Sequence, residues 1–300
     1  MKIKNGLLII DKPADMSSAR VVSIVKKLTG AKKVGHTGTL DPFATGVLLC
    51  CINEATKISR FFLAGNKKYI AKLCLGIQTD TQDFTGKVIS ASSELNFSDE
   101  DIISAFKKFE GRISQVPPVY SALKHKGIPL YKYAREGKAV TKPAREIKIH
   151  YINILNINLP EITFEVYCSS GTYIRSLCAD IGEILGCGGH LSQLSRTESC
   201  GLNIKQSLTI NDLENIISAG NISKHLISMS DALAHMPGYI ADETLIAKIS
   251  HGKLITESDI RFVKTNTSEG FIKIINRNKE LLAVLNKVEN KFSYCCVINN

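Results

Sequence analysis

Between Lys32 and Gly46 the chain reads KKVGHTGTLDPFATG, in which three glycines, three threonines and a proline surround one carboxylate, Asp41. Gly35, Gly38 and Gly46 admit backbone conformations that other residues resist, and Pro42 fixes the chain directly after Asp41. A carboxylate held in one orientation can take a proton, steady a developing cation or add to an electrophilic carbon. The same residues also suit an Asx-type turn in which Asp41 only satisfies neighbouring amides. On residue types alone the turn is the simpler reading.

A buried carboxylate calls for a cation. Arg175, within GTYIRS, follows Tyr173 and Ile174 at an apolar helix start, a setting that favours partial burial over a surface helix position. Tyr69 stands in an alternating run and reads on its own as an ordinary strand tyrosine. His36 reads as a capping or solvent-facing histidine, and Leu194 as core. Nine cysteines are scattered without a CxxC pair. Reduced, mostly buried thiols are therefore expected, with neither a disulfide framework nor a metal site.

The elements that must position these residues follow from periodicity. Apolar runs at Leu7 to Ile10 and Val47 to Ile52 bracket a helical pattern with Val21, Val22, Val25 and Leu28, which Ser17 and Ser18 can cap. A second helix is expected from Glu54 to Leu63. In KKYIAKLCLGI, Tyr69, Ala71, Leu73 and Leu75 alternate with Lys68, Ile70, Lys72 and Cys74 as a half-buried strand does. Further strands are expected at Gly86 to Ser90, Arg145 to Leu155 and Ile162 to Cys168, with helices at Ser98 to Phe109 and Tyr173 to Leu185. This mixture predicts an α+β fold on an antiparallel or mixed sheet.

A length of 300 residues favours two domains. Pro237 and Gly238 mark the break, separating a body at 1–236 from a small β-rich unit at 238–300 with runs FIKIIN, LLAVL and YCCVI. No apolar run approaches the roughly 20 residues of a membrane span, and the N-terminus has no secretory cleavage pattern, so a cytoplasmic protein is expected. The absence of a long heptad pattern favours a monomer. Net charge of +10 points to a polyanionic partner. Residues 124–148 carry 8 Lys or Arg against 2 Asp or Glu, which suits either a mobile loop clamping a phosphate backbone or a solvated surface.

GHTGTLDPFATGVL resembles the signature loop of the TruB family of pseudouridine synthases. The other motifs of that family are resembled in order by NGLLIIDKPADMSS, KKYIAKLCLGIQTDTQDFTG, QVPPVYSALKHKGIPLYKYAREG, CSSGTYIRSLCADIG and GGHLSQLSRTESCG. One departure is Ala14 to Ser18, where the family often has Gly-x-Thr-Ser after the Lys-Pro pair. The resemblance implies a pseudouridine synthase catalytic domain with a C-terminal PUA-type RNA-binding domain. It also implies isomerisation of uridine to pseudouridine in the TΨC arm of tRNA, at position 55, without cofactor or metal.

By the same resemblance Asp41 is the catalytic carboxylate, Arg175 its partner, and Tyr69 a catalytic residue whose ring stacks on the target base and whose phenol is also placed to handle a proton. Tyr173 and Leu194 line the pocket, and His36 fills the gap left by the flipped base. Lys12 and Asp83 support the site, and the basic insertion packs along the RNA stem. The GIPLYKYAREG insertion resembles bacterial stand-alone enzymes, so no obligate protein partner is expected. The alternatives are a guide-RNA-dependent synthase, an RNA-binding helper of tRNA folding, and a nucleoside hydrolase using Asp41. The last is disfavoured because no second catalytic carboxylate or metal cluster is evident.

Overall fold

The computed structural model describes residues 3–260, 270–289 and 291–298. The strands of the first part are β1 (Gly6–Lys12), β2 (Val34–His36), β3 (Thr45–Ile52), β4 (Lys67–Leu75), β5 (Ile77–Thr79), β6 (Val88–Ala91) and β7 (Gly111–Gln115). They are followed by β8 (Lys124–His125), β9 (Ile128–Pro129), β10 (Arg145–Asn158), β11 (Glu161–Cys168), β12 (Gly189–Ser199) and β13 (Leu202–Asn203). The helices are α1 (Ser18–Thr29), α2 (Ser59–Leu63), α3 (Asp99–Lys107), α4 (Leu130–Arg135), α5 (Ile174–Ile184), α6 (Ile210–Ser218), α7 (Met229–Ala232) and α8 (Glu243–Ser250). A C-terminal sheet takes β14 (Gly238–Ile240), β15 (Gly270–Ile275), β16 (Leu281–Val288) and β17 (Lys291–Val297) in sequence order.

The main sheet is mixed and runs β1-β3-β12-β4-β11-β10-β7, with β2 beside β3 and β13 beside β12. Its pairs are antiparallel except one short parallel contact, where Ser195 and Arg196 of β12 meet Thr45 and Gly46 of β3. That contact places the loop before β3 against the middle of the sheet. The fold is thus α+β with a small C-terminal β domain, as the periodicity predicts.

Burial explains the patterns. Leu8 and Ile10 of β1 pack with Leu48 and Cys50 under α1 and α6, while Leu7 and Ile9 join Val47 and Leu49 against α7 and the Leu281 and Val284 side chains of β16. Covered on both faces, β1 and β3 are continuously apolar. In β4, Tyr69, Ala71, Leu73 and Leu75 are all buried beneath α3 and α5. Helix α1 begins where the Ser17 hydroxyl accepts from the Arg20 amide and ends at Gly30 in the left-handed region.

Some features differ from expectation, three of them along the chain that frames the cavity. The helix expected from Glu54 to Leu63 is a 3-10 turn, Asn53–Ile58, followed by α2. Hydroxyls of Thr56 and Ser59 bond back to the carbonyls of Asn53 and Thr56, three residues earlier, within and just after the tighter winding. Strand β12 was not foreseen, because shifts of register after Leu191 and Arg196 break its alternation and one of its buried residues is an arginine. The basic stretch 124–148 is not simply a loop. It forms the β8–β9 hairpin, then α4 with Leu130 and Ala134 buried, and its last residues open β10.

Candidate active site

Asp41 lies on the loop between β2 and β3, and the backbone on both sides of it is pinned. The Ser18 hydroxyl donates to the Leu40 carbonyl and accepts from the Leu40 amide, both at 2.9 Å. Lys12 is fully buried, and its ammonium donates to the carbonyls of Pro13, Met16 and Pro42 at 2.7, 2.6 and 2.9 Å. Arg196, 2% exposed, spans the loop: Nη2 donates to Gly38 and Nε to Val47, at 3.0 and 2.7 Å. Gly46 is required here, since its φ is +101° and a Cβ would stand 2.2 Å from the Arg196 carbonyl oxygen.

Burial pulls the Lys12 ammonium down to about 8, opposed by the charges of Asp41 and Asp15, so it remains largely protonated at neutral pH. Lys12→Met leaves three carbonyls without their donor. We expect a loss of about 3 kcal/mol or more of stability, read as a lower urea midpoint at unchanged slope.

Arg175 opens α5 at 4% exposure. Its Nε stands 3.0 Å from Asp41 Oδ2 and its Nη1 3.6 Å from Asp83 Oδ2. Nη2 donates to Asp41 Oδ1 at 3.4 Å and to the Tyr120 carbonyl at 2.8 Å, while Nη1 donates to the Thr81 carbonyl at 3.0 Å. One guanidinium therefore joins the Asp41 loop, the Asp83 turn and the root of the basic insertion. Asp83 is held by Thr81 and Thr85, whose hydroxyls donate to its Oδ1 at 2.8 and 2.6 Å.

Burial pushes the Asp41 carboxyl above the usual carboxylate range; the Arg175 charge pulls it back and the Asp83 charge pushes it further up. The Asp41 side chain nonetheless keeps a third of its surface open. That surface faces a cavity of about 360 Å³ lined also by Tyr69, Tyr173, Arg175 and Leu194. Burial raises the Tyr69 phenol, which the neighbouring Arg196 charge partly offsets, so it stays neutral.

Five of the eight residues singled out by sequence thus meet around one cavity: Asp41, Tyr69, Tyr173, Arg175 and Leu194. Lys12 and Asp83 stand behind it, gripping the Asp41 loop and Arg175. His36 does not line it. It sits half-buried in β2 opposite Cys50, its Nδ1 accepting from the Gly38 amide at 3.3 Å. Burial, then Arg196, lower its imidazole below the ordinary value, which keeps the ring neutral at pH 7. Arg196, Lys67 and Arg145, which the sequence does not single out, also line the cavity. Alternation in a regular strand would have flagged Arg196 as inward-facing, had the register of β12 been unbroken.

Residues 26–174 match the model of the TruB family pseudouridylate synthase N-terminal domain, and residues 175–234 that of the tRNA pseudouridylate synthase B C-terminal domain. This chain belongs to the TruB family.

Curated TruB relatives agree in length as well as sequence. The tRNA pseudouridine synthase B of Geotalea uraniireducens is 45% identical over 248 residues, 83% of this chain and 80% of that one. Its namesake from Clostridium acetobutylicum is 40% identical over 288 residues, covering 96% and 97%. Among solved structures, a chain of a Cbf5-Nop10-Gar1 complex superposes with a TM-score of 0.76 at 27% identity, covering 98% of this chain and 84% of that one. The chain is accordingly a TruB-type pseudouridine synthase. Both family models end before Pro237, so the C-terminal β domain lies beyond them. No helix among the described residues is long and apolar enough to cross a membrane.

Proposed function

We propose that this synthase isomerises one uridine in the TΨC arm of tRNA, at position 55, without a guide RNA. The observation that carries the reading is the Asp41 carboxylate, tethered on both sides and paired with Arg175 at the wall of a cavity it shares with Tyr69. Relatives named tRNA pseudouridine synthase B are 38 to 47% identical, against 25 to 27% for the Cbf5 chains found in complexes. That difference favours the tRNA-directed, stand-alone alternative. The enzyme works as a cytoplasmic monomer, with residues 1–236 performing the chemistry and 238–300 adding contacts to RNA.

The reaction breaks the N1 to C1′ bond of uridine and forms C5 to C1′. N1 gains a proton and C5 releases one, so the product is an isomer and no electrons are exchanged with a partner. The target base leaves its stack at a cost of roughly a few kcal/mol and enters the cavity, where Tyr69 stacks on it and Tyr173 and Leu194 form the walls. Asp41 acts in its ionised form at the sugar or the base. Arg175 keeps it ionised and aimed, and Asp83 holds the far edge of the guanidinium. Lys12 keeps Pro42, and with it the carboxylate, in place.

His36, neutral and flat, takes the position the uracil vacates. Replacing it with alanine removes one base stack, worth about 1–3 kcal/mol. His36→Ala is therefore expected to slow single-turnover isomerisation by about tenfold or more while equilibrium RNA binding is retained.

The proposal is tested by tritium release from an unmodified tRNA transcript labelled at uridine C5. Release of one equivalent per tRNA, lost when the position-55 uridine is replaced by cytidine, is the expected result. Release unaffected by that replacement would place the target elsewhere.

A further inference from the structure

Among the polar groups of the cavity that have no part in the mechanism above are Arg145 and Ser121. Arg145, at the head of β10, lies over the ring of Tyr173, with its guanidinium carbon 5.0 Å from the centroid. Its Nη2 donates to the carbonyl of Gly171. The Nε of Arg145 and the hydroxyl of Ser121 are both buried and find no hydrogen-bond partner among the described residues. Ser121 is only 4% exposed, and both residues line the cavity that holds Asp41.

A third such atom, Arg175 Nε, faces the Asp41 carboxylate at 3.0 Å. Arg145 Nε and Ser121 Oγ have no such counter-charge, and because unpartnered buried polar atoms are rare and destabilising, the two at one site point to a partner that arrives later. The guanidinium faces no carboxylate: the ion pairs among the described residues do not include Arg145. Its place is prepared all the same. Gly171 has a φ of +86°, and a Cβ there would come within 3.1 Å of the Arg145 guanidinium carbon, so the turn before α5 is shaped to the arginine. The Tyr173 ring beneath the guanidinium also fixes its plane.

The chemistry of a uridine nucleotide narrows what this pair can hold. Uracil is neutral and suited to the aromatic and apolar walls, and the ribose carries only hydroxyls. The charged parts are the two phosphodiesters, and a stacked guanidinium beside a hydroxyl donor matches their oxygens.

We propose that Arg145 and Ser121 form a seat for one of the two phosphodiesters flanking the target uridine, positioning its ribose so that C1′ faces Asp41. This rests on the uridine-isomerising reading above. The guanidinium meets the negative charge, and the Ser121 hydroxyl donates to a non-bridging oxygen. Nucleotide entry parts the walls that now cover these atoms. The residues thus act on the orientation of the sugar.

The test uses stem-loop RNAs in which the linkage 5′ or 3′ of the target uridine is an uncharged methylphosphonate, with single-turnover rates for the wild type, Arg145→Ala, Arg145→Lys and Ser121→Ala. Neutralising one of the two linkages is expected to slow the wild type by between about tenfold and a hundredfold, the range of one charge-assisted hydrogen bond. Arg145→Ala should slow conversion of native RNA by a similar factor and then be indifferent to that linkage, whereas Arg145→Lys stays sensitive. Ser121→Ala leaves the stack on Tyr173 intact, so it should lose about fivefold on native RNA and less on the neutral linkage.

If the Arg145→Ala and linkage effects multiply, or if neither linkage matters to the wild type, the seat is overturned. Should Arg145→Ala not fold, Arg145→Lys and Ser121→Ala carry the same comparison, and multiplying effects in Ser121→Ala overturn it equally. A wild-type enzyme that leaves native RNA unconverted would remove the isomerisation reading itself, and the seat with it.

Discussion

Asp41→Asn is expected to lower single-turnover pseudouridine formation by on the order of 10⁴-fold, the scale set by loss of a positioned acid-base or nucleophilic group. The amide keeps the shape of the side chain but can neither carry charge nor add to a carbon. Folding should survive the change, because Arg175 retains Asp83 and the carbonyls of Thr81 and Tyr120. RNA affinity, measured by filter binding beside the rate, should therefore remain near that of the wild type. A similar fall in both would mean that Asp41 serves binding or folding and not the chemical step.

Arg175→Met should reduce the rate by about a thousandfold at neutral pH, the scale of breaking a buried ion pair from one side. The direction of its pH dependence follows from the charges around Asp41. Burial and Asp83 raise the carboxyl, and the Arg175 charge lowers it more than any other neighbour does. Removing Arg175 raises the carboxyl further. The active ionised form is present above the carboxyl pKa and is lost as pH falls through it, so the acid limb of the rate profile should move to higher pH in the variant. Part of the lost rate should return under alkaline conditions. A profile scaled down without a shift would show that Arg175 acts only by holding its four partners together. Urea midpoints recorded in parallel separate that structural contribution, since Tyr120 and Thr81 also lose their donor.

The elements most legible in the sequence are those whose burial is regular. Strand β4 displays its inward Tyr69, Ala71, Leu73 and Leu75 at period two, and α1 carries its start signal in Ser17 and its stop in Gly30. Strand β12 was hidden because register shifts interrupt its alternation and Arg196 occupies an inward position. Nothing local marks that arginine as buried; its partners are the Gly38 and Val47 carbonyls, some 150 residues distant in the chain.

The candidate site was legible for a different reason. Residue types alone favoured a plain turn around Asp41, and what separated a turn from a reactive loop was the ordered set of motifs. Structure adds the physical reason: Lys12, Ser18 and Arg196 grip the loop from three elements, and Arg175 meets its carboxylate from a fourth. Arg145 illustrates the opposite case. Among the eight basic residues of 124–148 it reads as one more cation of a phosphate-clamping loop or of a solvated surface, yet it stands at the head of a strand with its guanidinium on Tyr173. Charge counts locate a basic segment without saying which of its side chains turns inward.

The most direct measurement is to incubate the purified protein with an unmodified tRNA transcript, adding no metal or nucleotide, and to map pseudouridine by carbodiimide-block primer extension alongside Asp41→Asn. A single stop at position 55 that vanishes in the variant is the expected result, joining reaction, address and carboxylate in one gel. No stop, despite tight and salt-sensitive binding of the transcript, would instead mean a guide-dependent synthase or an RNA-binding helper.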